Sequence, residues 1–217
     1  MSEQTARVVA IDGPAGSGKS TISKLVAQRL GFDMLDTGAM YRAVTFAVLD
    51  AGGDIADAEG ATVAAERADI MLGPTVVTID GTDVTAAIRG VEVSGAVSVV
   101  AAHSGVRRRL VELQREWLSQ HREGVVEGRD IGTVVFPEAA LKIFLTASPD
   151  VRARRRAGDG VLDVDAAAAN IAERDRIDST RDDSPLIEAE DAVVVDTSDL
   201  TIDQVVDLIV AVAKERL

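Results

Sequence analysis

Residues 13–20 read Gly-Pro-Ala-Gly-Ser-Gly-Lys-Ser, a glycine and four residues followed by Gly-Lys-Ser. An apolar run at 7–12 precedes this stretch and an amphipathic run follows it, which predicts a strand, a tight loop and a helix. Glycines let backbone N–H groups turn inward, and a helix start adds unpaired donors with a partial positive charge. The stretch therefore predicts a cradle for a phosphate chain. Lys19 would reach the β- and γ-phosphates, and the Ser20 hydroxyl would bind Mg²⁺.

The composition fits one α/β domain and narrows the kind of ligand. The chain has 217 residues, 47% of them hydrophobic, and a net charge of −13. An acidic chain of this kind is not expected to bind nucleic acid, so an anionic ligand must be held by local arginines. The absence of cysteine excludes a disulfide framework and a thiolate zinc site.

The sequence shows no targeting feature. Residues 1–5 lack the basic and apolar regions of a secretion signal, and no stretch approaches the roughly 18 apolar residues of a membrane span. We therefore expect a cytoplasmic protein without a membrane partner. Nothing in the sequence demands more than a monomer.

Strands and helices alternate along most of the chain, which predicts a parallel sheet covered on both faces. Strands are expected at 8–11, 34–36, 125–127, 141–145 and 193–196, and helices at 20–30, 39–51, 99–121 and 201–216. Residues 58–97 differ, because Asp80-Gly81 within an alternating segment is a hairpin signal. We expect a single domain with a core at 1–57 and 98–217 and a partly β insert at 58–97.

Arginine-bearing segments follow the predicted strands, at the edge where open α/β sheets bind ligands. Guanidinium groups grip phosphate through paired, permanently charged donors. The candidates are Arg42, Arg129, Arg152, Arg154, Arg155, Arg156, Arg174, Arg176 and Arg181. This distribution predicts phosphoryl transfer, in which catalysis is mostly positioning and electrostatic stabilisation.

Two residues near these arginines admit two interpretations each. Tyr41 either borders a nucleotide or packs in the core. Asp130 either accepts a hydrogen bond from an exocyclic amine or pairs with Arg129 at the surface.

Several motifs together resemble the bacterial cytidylate kinases, a nucleoside monophosphate kinase family of P-loop proteins. Residues 11–21 contain the phosphate-loop motif, which is generic to P-loop proteins. Residues 35–42 read Leu-Asp-Thr-Gly-Ala-Met-Tyr-Arg, and residues 127–137 read Glu-Gly-Arg-Asp-Ile-Gly-Thr-Val-Val-Phe-Pro, which is more diagnostic. Lys-Ile-Phe-Leu at 142–145, Glu-Arg-Asp at 173–175, Asp178, Arg181 and Ser-Pro-Leu at 184–186 complete a resemblance over nearly the whole chain.

The resemblance implies a five-stranded parallel core, a nucleoside monophosphate (NMP)-binding insert at 58–97 and a short lid at about 150–172. It also implies transfer of the γ-phosphate of ATP, with Mg²⁺, to CMP or dCMP. The implied ATP-binding residues are Gly13, Pro14, Ala15, Gly16, Ser17, Gly18, Lys19, Ser20, Thr21, Arg154, Arg155 and Arg156. The implied CMP-binding residues are Thr37, Tyr41, Arg42, Ser98, Arg107, Gly128, Arg129, Asp130, Arg174, Asp178 and Arg181.

Within that set the resemblance implies distinct roles. Arg42, Arg129 and Arg181 would hold the acceptor phosphate, with Thr37 and Tyr41 lining its site. Ser98, Arg107 and Asp130 would read the cytosine edge, and Arg174 and Asp178 would address the sugar. Lys19, Arg129 and Arg174 are the expected catalytic residues, and Ser20 is the expected metal ligand.

Two departures and two alternatives accompany the resemblance. Thr37 occupies a place where serine is often found, and the lid segment at 157–170 is shorter and more acidic than usual for the family. Gly158 and Gly160 within it fit a hinge. One alternative is a kinase of the same fold that uses UMP or AMP. The other is a nucleotide switch, which the lack of an Asn-Lys-x-Asp motif disfavours.

Overall fold

The computed structural model describes residues 7–73, 75–158 and 163–217. The strands are β1 (Arg7–Asp12), β2 (Asp33–Asp36), β3 (Ile70–Leu72), β4 (Val77–Ile79), β5 (Thr82–Asp83), β6 (Glu123–Gly128), β7 (Leu141–Thr146) and β8 (Val193–Asp196). The helices are α1 (Lys19–Leu30), α2 (Thr37–Asp50), α3 (Ala58–Arg67), α4 (Val91–Ala102), α5 (Ser104–His121), α6 (Pro149–Ala157), α7 (Val164–Thr180) and α8 (Ile202–Arg216). The predicted strands and helices of the core are therefore present, with ends shifted by one or two residues except at 99–121.

The central sheet is parallel and five-stranded, in the order β2-β6-β1-β7-β8. Alternate side chains of β1 point to opposite faces of the sheet. Both faces are buried, as expected of a central strand in an α/β sheet. Val8 and Ala10 pack with residues of α2 and α5, whereas Val9 and Ile11 pack with α1 and α8. The central position of β1 places the phosphate-loop motif directly above the core.

Local sequence explains where the principal helices begin and end. Glycines with positive φ flank α1, Gly18 at +92° and Gly31 at +73°. Asp36 caps α2 by accepting from the backbone N–H of Ala39. Thr201 caps α8 in a reciprocal arrangement with Gln204. Two of these ends, at Gly18 and Asp36, adjoin the segments predicted to bind ligand.

The segment 58–97 contains the predicted hairpin. Strands β3, β4 and β5 form an antiparallel sheet, and the turn between β4 and β5 places Asp80 and Gly81 at φ of +51° and +78°. Helix α3 packs against α2 and α5, so the segment rests on the core. The boundaries of the insert at 57/58 and 97/98 stay a prediction. Helix α4 runs through residues 97 and 98 without a break, so no change of secondary structure marks the second boundary.

The prediction of a single helix at 99–121 is wrong. Two helices, α4 and α5, meet at His103, whose backbone is extended and whose Nε2 lies 2.8 Å from the carbonyl oxygen of Ile55. Ser104 and Gly105 follow, and both disfavour a helix interior. Gly105 lies so close to Thr62 of α3 that a Cβ there would be 2.2 Å from the Thr62 hydroxyl oxygen. The lack of a side chain at Gly105 therefore allows α3 to approach α5.

Parts of two predictions fall on residues 1–6 and 159–162, which lie outside the described residues. Residues 1–6 include the N-terminal sequence that was expected to lack a secretion signal. Residues 159–162 include Gly160 and the middle of the predicted lid, of which α6, Gly158 and the start of α7 are described. Within the ranges given above, no helix is both long enough and apolar enough to cross a membrane.

A side chain at Gly13 is expected to destabilise the fold. A Cβ at this position would lie 2.0 Å from the backbone oxygen of Leu145 at the end of β7, so β1 and β7 would have to separate. We expect Gly13→Ala to lower the free energy of unfolding by more than about 2 kcal/mol, measured by urea denaturation. The control is Gly95→Ala within α4, where a Cβ meets no atom within 4 Å and the helix should gain about 0.5–1 kcal/mol. Equal midpoints for the two variants would contradict this account.

Candidate active site

A cleft of about 920 Å³ lies at the carboxyl edge of the central sheet. Most of the predicted site residues line it. On the phosphate-loop side these are Ala15, Gly16, Ser17, Gly18, Lys19, Ser20, Thr21, Arg155 and Arg156. On the other side they are Thr37, Tyr41, Arg42, Ser98, Arg107, Gly128, Arg129, Asp130, Arg174, Asp178 and Arg181. The structure thus brings distant parts of the chain to one cavity large enough for two ligands.

Three predicted ATP-binding residues are placed elsewhere. Gly13 packs against the end of β7, and the Pro14 carbonyl accepts a hydrogen bond of 2.7 Å from Lys19 Nζ. Arg154 is exposed and is absent from the cleft wall among the described residues. The ATP-binding role of Arg154 therefore stays a prediction that no cleft contact supports.

Lys19 lies buried inside the phosphate loop. Its Nζ also donates to Ser17 Oγ at 3.4 Å. Burial lowers the pKa of Lys19 well below its usual range, and the positive charge of Arg129 acts in the same direction. A cation in this position is stabilised by an anion beside it, which is what a phosphate group supplies.

Arg152 on α6 and Asp175 on α7 form hydrogen bonds with the backbone of Ala15. Asp175 Oδ1 accepts from the Ala15 N–H at 3.0 Å, and Arg152 Nη1 donates to the Ala15 carbonyl at 3.1 Å. Arg152 and Asp175 also pair with each other. Arg152 was a candidate from its position after a strand, but its partner lies on a different helix and no motif signals the contact.

Arg155 connects helix α6 with the phosphate loop and with the residue that follows β8. Its guanidinium donates to the carbonyl oxygen of Ser17 at 3.3 Å, and to the hydroxyl and carbonyl oxygens of Thr197 at 2.9 and 2.8 Å. Thr197 follows β8, so one side chain spans loop, lid and sheet. Arg155 therefore lines the cleft beside the phosphate loop, and its contact with ATP stays a prediction.

Cations crowd the middle of the cleft and repel one another. Burial lowers the pKa of Arg42 to about 10, and the charges of Arg156 and Arg129 add to this effect. Burial likewise lowers the pKa of Arg174 to about 9, again with help from Arg129 and Arg42. In a protein of net charge −13, this concentration of positive charge suits an anionic ligand.

Buried carboxylates balance part of this charge. Asp178 Oδ2 accepts from Arg129 Nε at 2.8 Å. Burial lowers the pKa of Arg129, but the carboxylates of Asp178, Asp175 and Glu127 together more than reverse this and leave it raised. Glu127 is also buried, which raises its pKa to about 7, and its Oε1 has no hydrogen-bond partner among the described residues.

The cleft wall also holds a buried carboxylate between two guanidinium groups. Arg107 donates to Asp130 Oδ2, and Arg181 Nη2 lies 3.6 Å from Asp130 Oδ1. The interpretation of Asp130 as a surface partner of Arg129 is therefore wrong, because its two partners are Arg107 and Arg181. Burial raises the pKa of Asp130 in spite of these cations.

Smaller groups complete the walls. Tyr41 packs in the core, as one of its two interpretations predicted, and it also lines the cleft, with Arg107 5.6 Å above its ring centre. That it borders a nucleotide stays a prediction. Thr37 donates to the carbonyl oxygen of Glu127 at 2.7 Å. Ser98 is buried on α4, and Arg42 Nη1 donates at 2.9 Å to Ser94 one turn earlier on that helix.

A family model for cytidylate kinase matches residues 9–215. The chain belongs to the cytidylate kinase family. A cytidylate kinase from Streptomyces avermitilis is 50% identical over 96% of this chain and 93% of its own. One from Mycobacterium avium is 52% identical over 96% of each chain. These findings confirm the resemblance and the predicted enzyme class, a nucleoside monophosphate kinase that acts on small nucleotides with ATP as co-substrate.

A solved structure supports the fold of this cytidylate kinase family member. A gluconokinase from Sinorhizobium meliloti aligns over 97% of this chain and 93% of its own, with a TM-score of 0.53 and 14% identity. At that identity the likeness concerns the fold alone. It agrees with the parallel sheet covered by helices that the sequence predicted.

Several residues of the cleft wall in this family member were not predicted. On the insert side these are Arg89, Val91, Ser94 and Gly95, and near the phosphate loop they are Asn170, Thr197, Leu200, Ile202 and Val205. Leu200 and Ile202 are apolar and exposed, which is a signal of binding only once they are seen to face the cleft. Leu200 lies in the segment before α8 and Ile202 is its first residue, and neither belongs to a sequence motif.

Arg155 and its neighbour Arg154 offer a matched pair of variants. Arg155→Met removes three hydrogen bonds that connect the phosphate loop with Thr197, so we expect the Kd for ATP to rise about tenfold. Arg154→Met removes the same charge from the same helix and should leave the Kd within about twofold, since among the described residues Arg154 is not part of the cleft wall. Titration calorimetry with a non-hydrolysable ATP analogue measures both. An equal loss of affinity in the two variants would show that net charge alone matters.

Proposed function

We propose that this chain transfers the γ-phosphate of ATP to CMP or dCMP, which gives ADP and CDP or dCDP. The observation that carries the proposal is the placement of Asp130 between Arg107 and Arg181, in the wall of the same cleft that the phosphate loop lines. A carboxylate can accept from the exocyclic amine of cytosine, and a guanidinium can donate to its ring acceptors. Family membership supports the same acceptor over UMP and AMP.

The donor is assigned to the phosphate-loop side. Backbone N–H groups from Gly16 to Thr21 and the ammonium of Lys19 would bind the phosphate chain. Arg155 and Arg156 would cover it from α6. The apolar side chains of Leu200 and Ile202 would contact the donor's base.

The acceptor is assigned to the opposite side. Arg42, Arg129 and Arg181 would bind its phosphate, with Thr37 and Tyr41 beside it. Arg174 and Asp178 would contact the sugar, and Ser98, Arg107 and Asp130 would bind the cytosine edge. Each of these side chains lines the one cleft, which supports their common use.

The chain's own residues fit a Mg²⁺ ion at the start of α1. The Ser20 hydroxyl would hold it, and the buried Glu127 carboxylate beside Ser20 has an oxygen without a partner among the described residues. Hard oxygen groups of this kind are what Mg²⁺ prefers. When bound, the ion would neutralise charge on the phosphates of ATP.

The proposed mechanism is direct in-line transfer. An oxygen of the acceptor phosphate attacks the γ-phosphorus as the bond to the β-phosphate bridging oxygen breaks, so no protein nucleophile is needed. Lys19, Arg129 and Arg174 offset the charge that spreads over the migrating group. Closure of the insert and lid would exclude water, which would otherwise hydrolyse ATP.

Net charge and substrate size bear on the partners and the compartment of the enzyme. Small nucleotides require no macromolecular partner, and a net charge of −13 opposes binding to nucleic acid or to anionic membranes. The enzyme is accordingly expected to work as a cytoplasmic monomer.

A panel of acceptors tests the proposed reaction. ADP release from ATP and Mg²⁺ would be measured with CMP, dCMP, UMP and AMP, and we expect kcat/KM for CMP or dCMP to exceed that for AMP by more than about 100-fold. Lys19→Ala serves as the blank, because loss of the phosphate-binding ammonium should abolish turnover while the protein stays folded. CMP no better than AMP would overturn the acceptor. Tight GTP binding without transfer to any acceptor would favour a nucleotide switch.

Asp130→Ala should weaken discrimination between CMP and UMP. The base-reading carboxylate is lost, so we expect the ratio of kcat/KM for CMP to that for UMP to fall at least about tenfold. Asp130→Asn, which preserves shape, should act in the same direction. Asp182→Ala is the control, since this exposed aspartate lies in the loop after α7. An unaltered ratio in both Asp130 variants would remove Asp130 from base recognition.

A further inference from the structure

The diagnostic segment after β6 continues into a single turn of π-helix at 131–135. The N–H of Val135 bonds to the carbonyl of Asp130, and that of Phe136 to the carbonyl of Ile131 at 2.7 Å. Turns of this kind are rare and need support, because their first N–H groups and last carbonyls have no partner within the helix. The support here comes from two side chains outside the segment.

The carboxylate of Asp12 holds the start of the turn. Its Oδ1 accepts from the N–H of Ile131 at 2.9 Å and its Oδ2 from the N–H of Gly132 at 2.8 Å. Asp12 is the last residue of β1 and is buried beneath the cleft. Burial raises its pKa to about 6, so placing a carboxylate here has a cost that the two hydrogen bonds offset in part.

The guanidinium of Arg115 holds the end of the turn. Its Nε donates to the carbonyl of Val135 at 3.1 Å and its Nη2 to the carbonyl of Val134 at 3.0 Å. Arg115 lies on α5 and is largely exposed. A negative group at the start and a positive group at the end match the dipole of the turn.

Packing joins the turn to the residues that face the cleft. Gly128 lies against the turn so closely that a Cβ there would be 2.7 Å from two carbon atoms of the Ile131 side chain. Arg129 and Asp130 lie between these two residues in the chain. A shift of the turn would therefore move both Arg129 and Asp130.

Asp12 and Arg115 do not themselves belong to the cleft wall among the residues that the structure describes. We propose that they are positioning residues, which fix the turn at 131–135 from its two ends and so set where Arg129 and Asp130 meet the acceptor. The inference rests on the proposed function, because it gives Arg129 and Asp130 the roles of phosphate and base contacts. Misplacement by about 1 Å at such contacts costs up to about 100-fold in rate.

Arg115→Met and Asp12→Asn test the inference. Methionine keeps the length of the Arg115 stem without its donors, and asparagine places an amide N–H₂ against one backbone N–H. We expect the KM for CMP to rise and the CMP-to-UMP ratio of kcat/KM to fall, about threefold in Arg115→Met and about tenfold in Asp12→Asn. The KM for ATP in Arg115→Met should stay within about twofold, because Arg115 is remote from the phosphate loop.

Arg108→Met is the matched control, since Arg108 is an exposed arginine on the same helix. Thermal melting shows whether each variant is folded, and Arg115→Met decides the matter alone if Asp12→Asn does not fold. A folded Arg115→Met enzyme with the wild-type KM for CMP and the wild-type CMP-to-UMP ratio would overturn the inference. Equal changes in the KM for ATP and for CMP would also overturn it, because they indicate a general loss of structure.

The Asp130 variants separate this inference from the proposed function. If Asp130→Ala lowers the CMP-to-UMP ratio but Arg115→Met and Asp12→Asn leave both readouts unchanged, the positioning role alone is wrong. If Asp130→Ala leaves the ratio unchanged, base reading is wrong. The KM for CMP, which depends on Arg129 whatever the base, then decides the positioning role: a rise supports it and no change overturns it.

Discussion

Mutual repulsion among cations at one edge of the sheet is the constraint on which the rest of this structure depends. Burial lowers the pKa of Lys19, Arg42 and Arg174, and the positive charge of Arg129 lowers each of them further. Such a group is unfavourable by itself and becomes favourable when polyanionic ligands enter it. The chain as a whole is acidic, so the attraction for phosphate is confined to the cleft. Two negatively charged nucleotides can meet there because each relieves repulsion within the protein.

Buried carboxylates make the distribution of charge within this positive region uneven. Asp178 pairs with Arg129, and Asp130 pairs with Arg107 and Arg181. Glu127 lies near Lys19 and Ser20, in the half of the cleft assigned to the donor. A uniform patch of arginine would bind any phosphate compound. Under the proposed assignment, the Asp130 carboxylate would suit a base with an amine, and the Glu127 carboxylate would suit a phosphate chain with its ion.

The motifs predicted the site better than the outline of some elements because each motif is continuous in the chain. The phosphate loop and the Gly-Arg-Asp segment lie at strand ends, and parallel strands bring those ends together. The break at His103 escaped prediction because apolar residues keep helical spacing on both sides of it. Arg154 and Arg155 could not be told apart either, since one step along a helix turns a side chain by about 100° and the sequence does not show which side meets the loop. Contacts such as Asp175 with Ala15 join residues 160 positions apart and have no local signal.

Helix α4 begins within the predicted insert and ends in the core, and it carries Ser94 and Ser98 on its way. A helix of this length behaves as a stiff rod over its three turns. A rotation of α4 would therefore displace Ser98 together with Ser94, which accepts a hydrogen bond from Arg42. Under the proposed assignment, in which Arg42 binds the acceptor's phosphate and Ser98 its base, one rigid helix would couple the two contacts.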